Sequence, residues 1–234
     1  MKVMKLHKLN RQLLLLGEHC YLDTSDDCYF TDVYQCRQRR GNKALIMRLK
    51  EKDKSTIADV AEQLSGALPP QWRRSATFIP MPPSVGKSSA VSAVIDIVSQ
   101  LRVADTRDLL VQRCDTLPSH AGWRPAPLHR SELLTVREDS LGTDPTSVVV
   151  VDDVLTTGSH FRAAKIVLRR RWPCVRVIGL FIARACSRRY NSCFWEMAGC
   201  TGHCPCMPEG ELWDNTPSYV MDVARNYDLR RVNE

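Results

Sequence analysis

No stretch of this 234-residue chain is apolar for long enough to span a bilayer, which excludes a helical membrane protein. Leu13 to Leu16 follow basic residues, but Gly17-Glu18-His19 come at once, so the segment is a poor signal peptide. The expectation is a cytoplasmic chain with no membrane partner. Its ten cysteines should then be reduced thiols or metal ligands, not disulfides. Two clean Cys-x-x-Cys knuckles are also missing, as are internal repeats and low-complexity tracts. The sequence contains a Gly86-Lys87-Ser88 ending but no nucleotide P-loop. That loop needs a glycine five residues before Gly86, where Met81 stands, and prolines remove backbone N–H groups it would use.

What is present describes a globular protein, with 44% apolar and 25% charged residues. The length suits one α/β domain with additions. A net charge of +7 fits a nucleic-acid partner or a highly phosphorylated small molecule, and by itself does not choose between them.

The most informative stretch runs from Ser147 to Ser159. Val148 to Val151 is an unbroken β-branched run, the pattern of a parallel strand buried on both faces. Asp152 and Asp153 sit where it ends, and Thr156-Thr157-Gly158-Ser159 opens a helical stretch from His160 to Arg170. A strand, a hydroxyl-rich turn and a helix N-terminus together make an anion site. Two carboxylates beside a phosphate need another task, and vicinal sugar hydroxyls supply it, because ionised Asp is an acceptor only. The implied ligand is a 5-phosphorylated ribose. Helix capping alone would not place two acids four residues upstream of the helix.

These residues resemble the signature of the type I phosphoribosyltransferases: a hydrophobic strand, two acids, two hydrophobic residues and Thr-Thr-Gly. His160 departs from it, standing where a hydroxyl residue is usual. The resemblance implies a mostly parallel central sheet flanked by helices, in the type I phosphoribosyltransferase fold. It implies that Asp152 and Asp153 are catalytic and that Thr156, Thr157, Gly158, Ser159 and His160 form the 5-phosphate loop. It also implies a pyrophosphate loop after the first core strand. The segment Pro80 to Ser88 takes that place, with Ser84, Gly86, Lys87 and Ser88 as the pyrophosphate contacts. Within the family, the Pro80-Met81-Pro82 run and the Leu49-Lys50 helix end are similar to the competence protein F group. There, Arg113, Thr116, His120 and Arg130 match a pattern of pyrophosphate or acceptor contacts, with His120 in place of the usual Gln.

Three regions are expected. Residues 1–70 form an N-terminal extension or hood, with a helix from Val3 to Leu16, a hairpin of Cys20–Thr24 and Tyr29–Cys36, and helices over Ala44–Lys50 and Ser55–Leu64. Residues 71–185 form the core: strand Ala76–Pro80, helix Ser88–Leu101, strand Leu109–Arg113, irregular Leu117–His129, an excursion over Glu132–Glu138, the signature strand and helix, and strand Val175–Ala183. Residues 186–234 are Cys-rich and irregular up to a helix at Ser218–Tyr227. Cys193, Cys200, His203, Cys204 and Cys206 make a loose cluster that structural zinc would staple, with buried or incidental thiols as the default.

The expected function is therefore transfer of the 5-phosphoribosyl group from phosphoribosyl pyrophosphate to a nitrogenous small-molecule acceptor, with Mg²⁺ as cofactor. Relatives acting on 6-oxopurines carry an Asp where this chain has Thr156, so hypoxanthine and guanine are disfavoured. The alternative is a non-catalytic ribose-phosphate sensor or a DNA-processing accessory protein. A homodimer is compatible with a sequence that itself fixes no oligomeric state.

Overall fold

The computed structural model describes residues 4–9, 19–34, 42–84, 89–101, 103–115, 126–137 and 143–185. The expected Cys-rich segment and its last helix lie outside these residues, as do most of the pyrophosphate loop (85–88) and His120.

A mostly parallel sheet organises the chain. Its strands are β1 (His7–Lys8), β2 (Asp27–Phe30), β3 (Val33–Tyr34), β4 (Thr77–Pro80), β5 (Asp105–Thr106), β8 (Ser147–Leu155) and β9 (Arg176–Ala185). They lie in the order β1-β2-β9-β8-β4-β5, with β3 continuing along β9 beyond β2, and only the β1–β2 pair is antiparallel. The β-branched run of β8 is central because both of its faces are apolar. Val148 and Val150 face a cluster containing Phe161, Ala164, Leu168 and Phe181. Val149 and Val151 face one containing Ile57, Leu64, Val94 and Ile95. This is the parallel-sheet pattern expected from Val148–Val151.

Helices cover both faces: α1 (Asn42–Lys50), α2 (Lys54–Ala67), α3 (Pro70–Ser75) and α4 (Ala90–Gln100) supply residues to the second cluster, and α6 (Ser159–Arg171) to the first. Their starts follow from local chemistry. Asp53 caps α2 by accepting the Thr56 N–H at 2.8 Å, and Ser89 caps α4 by accepting that of Ser92 at 2.9 Å. Pro70 begins α3, where its missing N–H costs nothing.

Four expectations are corrected. Residues 4–6 are irregular and His7–Lys8 are a strand, so no helix runs through this part of Val3–Leu16. Among the described residues the expected hairpin of Cys20–Thr24 with Tyr29–Cys36 is absent, because 20–24 carry no strand and β2 and β3 each pair in parallel with β9 in the main sheet. The apolar Leu110–Gln112 (β6) is not a core strand. It forms a separate antiparallel ribbon with β7 (Leu134–Val136), which follows the short helix α5 (Pro127–Glu132). The true neighbour of β4 on that side is β5, two polar residues long, which hydrophobic patterning cannot reveal. The signature strand also extends beyond Val151, carrying both acids along β9 as far as Leu155.

Candidate functional site

The register of the sheet opens a crevice beside the acid pair. Strand β4 pairs with β8 only as far as Pro80–Val151, and its chain then leaves, with Met81 N–H donating to Val151 O at 2.8 Å. Strand β8 continues for four more residues paired to β9 alone. After β4 the chain moves to β5 on one side, and later returns to β8 on the other. The β4–β8 boundary is therefore a point where strand order reverses, and ligands of open α/β sheets bind at such points, beyond the carboxyl ends of the strands. A small cleft open to solvent lies there, lined by Met81, Ser84, Gln112, Arg130, Leu134 and His160 among others.

Asp152 and Asp153, successive residues at the end of β8, have different surroundings, and only Asp152 meets a residue that lines the cleft, His160. Asp152 is 9% exposed, and its Oδ2 lies 3.5 Å from His160 Nδ1. Asp153 Oδ2 lies 3.5 Å from the exposed Lys50 Nζ. Burial, and then the charge of Asp152, hold the Asp153 carboxyl above the ordinary carboxylate range, with Lys50 opposing. Each acid accepts the N–H of the next residue, Asp153 and Val154, at 2.8 and 2.6 Å. Neither caps α6. The cap is Gly158, at φ 84°, a left-handed conformation that suits glycine. A Cβ there would meet Leu22 Cγ at 2.5 Å.

The turn between strand and helix is short and polar. Thr156 is exposed, Thr157 half-buried and Ser159 buried; the Thr157 hydroxyl accepts the Ser159 N–H at 3.4 Å. The N-terminus of α6 and its dipole thus sit at the mouth of the crevice, an arrangement that favours an anion. Arg130, buried on α5, adds a cation. Burial lowers its pKa, while the charge of Asp152 draws it back up.

Of the sequence-derived site residues, Ser84, Arg130 and His160 line the cleft, Asp152 adjoins it through His160, and Asp153, turned to Lys50, and Thr156–Ser159 follow along the end of β8 and the start of α6. Arg113 is exposed at the end of β6, one residue beyond the cleft-lining Gln112. Gly86, Lys87, Ser88, Thr116 and His120 lie outside the described residues, as do Cys193, Cys200, His203, Cys204 and Cys206. Among the described residues, no group of three or more His, Cys, Asp or Glu side chains converges as a metal cage. None of their helices is long and apolar enough to cross a membrane.

Sequence reasoning missed the support behind the turn. His19, 1% exposed, donates from Nδ1 to the Thr156 carbonyl, and its Nε2 lies 3.5 Å from Nη1 of the fully buried Arg184. Burial, reinforced by Arg184, lowers the His19 pKa to about 4 against the pull of the Thr156 hydrogen bond, so the imidazole is neutral. Asp26, also buried, meets Lys165 Nζ at 2.6 Å and Arg162 Nη1 at 3.0 Å, and Asp23 meets Arg162 at 3.3 Å. The one signal for this layer was Arg184 itself, a cation next to the end of a strand that is free of charge from Val177 to Ala183. No family model and no curated protein matches this chain.

Proposed function

We propose that the chain binds phosphoribosyl pyrophosphate at the β4–β8 crevice and transfers its 5-phosphoribosyl group to a nitrogenous small molecule, releasing pyrophosphate. The observation that carries this reading is the meeting of three features at one point where strand order reverses. They are an acid pair at the carboxyl end of β8, a Thr-Thr-Gly-Ser turn leading into α6, and a cleft with a buried arginine. A 5-phosphate suits the turn and helix terminus, and the ribose hydroxyls suit the acid pair. A mostly parallel central sheet flanked by helices supports this reading, and the signature residues resemble those of the type I phosphoribosyltransferases.

Transfer breaks the bond from the anomeric carbon to pyrophosphate as the acceptor nitrogen forms its own bond to that carbon. Positive charge grows on the sugar ring in between. Asp152 and Asp153 are the carboxylates assigned to stabilise it; burial and the charge of Asp152 raise the Asp153 pKa, while Lys50 and the Val154 N–H favour its ionised form. Arg130 and Lys87 are the cations assigned to the leaving group. Mg²⁺ fits this set without a protein cage, since it keeps its waters and is held by phosphate oxygens with one or two carboxylates. When bound it would neutralise charge on the pyrophosphate.

The test is turnover. Purified protein with Mg²⁺ and phosphoribosyl pyrophosphate is offered nucleobases, ammonia and nicotinate-like acids in turn. Acceptor-dependent pyrophosphate release that disappears in Asp153→Asn is the expected result. Tight binding with no turnover across that panel would instead make the protein a ribose-phosphate sensor.

A further inference from the structure

We infer that the turn from His19 to Leu22 is a template that holds Thr156, Thr157 and Gly158 in shape for the 5-phosphate, with His19 as a positioning residue. The inference rests on the ribose-phosphate reading above. It starts from three contacts that fall on three successive residues of the signature turn. The His19 Nδ1–H donates to the Thr156 carbonyl. The Tyr21 N–H donates to the Thr157 carbonyl at 3.0 Å. The Leu22 side chain packs so closely under Gly158 that no Cβ fits between them.

A template must itself be held, and this one is anchored on both sides. The Leu22 N–H donates to the His19 carbonyl at 2.8 Å, closing the turn. On the β9 side, His19 Nε2 accepts from Arg184, whose guanidinium also lies 5.5 Å from the Phe30 ring and whose backbone N–H donates to Asp32 O at 2.8 Å. On the helix side, Asp26 binds Arg162 and Lys165 of α6, and Arg162 N–H donates to Gly158 O at 3.0 Å. The same helix whose N-terminus faces the crevice is thus tied to the strap that shapes its entry turn. Pulling the two carbonyls backwards fixes the peptide planes of the turn. In a trans peptide the N–H lies opposite the carbonyl, so the Thr157 and Gly158 N–H groups point away from the strap, and a preorganised anion site loses less on binding than one that must order itself. The neutral tautomer with the proton on Nδ1 is the only one that serves both neighbours, because Arg184 has donors only.

The experiment measures affinities for ribose 5-phosphate and for inorganic pyrophosphate, both with Mg²⁺, on the full chain. His19→Ala removes the donor and should weaken ribose 5-phosphate by about tenfold, the equivalent of one buried hydrogen bond. Pyrophosphate, assigned to the separate loop after β4, should change by no more than about twofold. His19→Asn places an amide N–H where Nδ1–H was and should restore most of the loss, whereas His19→Gln should not. If His19→Ala does not fold, the Asn and Gln variants carry the same contrast. Unchanged ribose 5-phosphate affinity in His19→Ala and His19→Gln, or an equal loss for both ligands, overturns the inference while leaving the functional reading intact. Failure of the wild-type chain to bind ribose 5-phosphate overturns both.

Discussion

Replacing Asp26 with Asn leaves the shape of a fully buried side chain and removes the charge that two cations share. Lys165 Nζ lies 2.6 Å from Oδ1, and Arg162 Nη1 lies 3.1 and 3.0 Å from the two oxygens. Arg162 retains Asp23 at 3.3 Å. Lys165 has only 6% of its side chain exposed, so it would remain as a buried ammonium opposite a neutral amide. Breaking a buried pair on one side costs about 3–5 kcal/mol, and the remaining Asp23 places this case near the lower end. For a chain of this size, about 3 kcal/mol lowers Tm by roughly 6–12 °C. Urea denaturation followed by circular dichroism measures the loss directly. The double variant Asp26→Leu with Lys165→Met should recover much of it, because no charge is then stranded. A loss in Asp26→Asn below about 1 kcal/mol, or a double variant no more stable than the single one, would refute the view that this network holds the strap to α6.

Two further predictions concern the site. Because burial and Arg184 lower the His19 pKa from 6.5 to about 4, the unfolded chain binds the proton first, and His19 stabilises the fold fully above about pH 6.5. That contribution, about 3 kcal/mol, is lost as pH falls through about 4, and the pH dependence of wild-type stability over this window should flatten in His19→Asn. Lys87→Ala should weaken pyrophosphate by about 1.5–3 kcal/mol and ribose 5-phosphate by less; calorimetry showing equal losses would mean that Lys87 acts indirectly.

The parts of the fold legible in the sequence were those written in long apolar patterns. The helix after Gly158, the strand ending at Ala185 and the helix ending at Gln100 appear close to their expected limits, and Val148–Val151 lies in a buried strand that runs on to Leu155. Short polar elements were not legible. Asp105–Thr106 joins the sheet through backbone bonds that do not need hydrophobic side chains, and His7–Lys8 does the same at the other edge. Conversely, Leu110–Gln112 looks like a core strand, yet it lies in a separate ribbon from which Leu110 packs into the first cluster. The strand end, the acid pair and the Thr-Thr-Gly-Ser turn of the candidate site were readable because they are adjacent in sequence. The layer behind them was not. His19, Asp26, Lys165 and Arg184 come together only through tertiary packing, with sequence separations of 139 and 165 residues between partners.

The central claim is that Asp152 to Ser159 hold a ribose 5-phosphate unit. Isothermal titration of phosphoribosyl pyrophosphate with Mg²⁺ into wild type and into Asp152→Asn with Asp153→Asn tests it most directly. The account predicts saturable binding to the wild-type chain and none to the double variant, whose circular dichroism and denaturation midpoint should remain close to wild type. Equal affinity in the two proteins would contradict it.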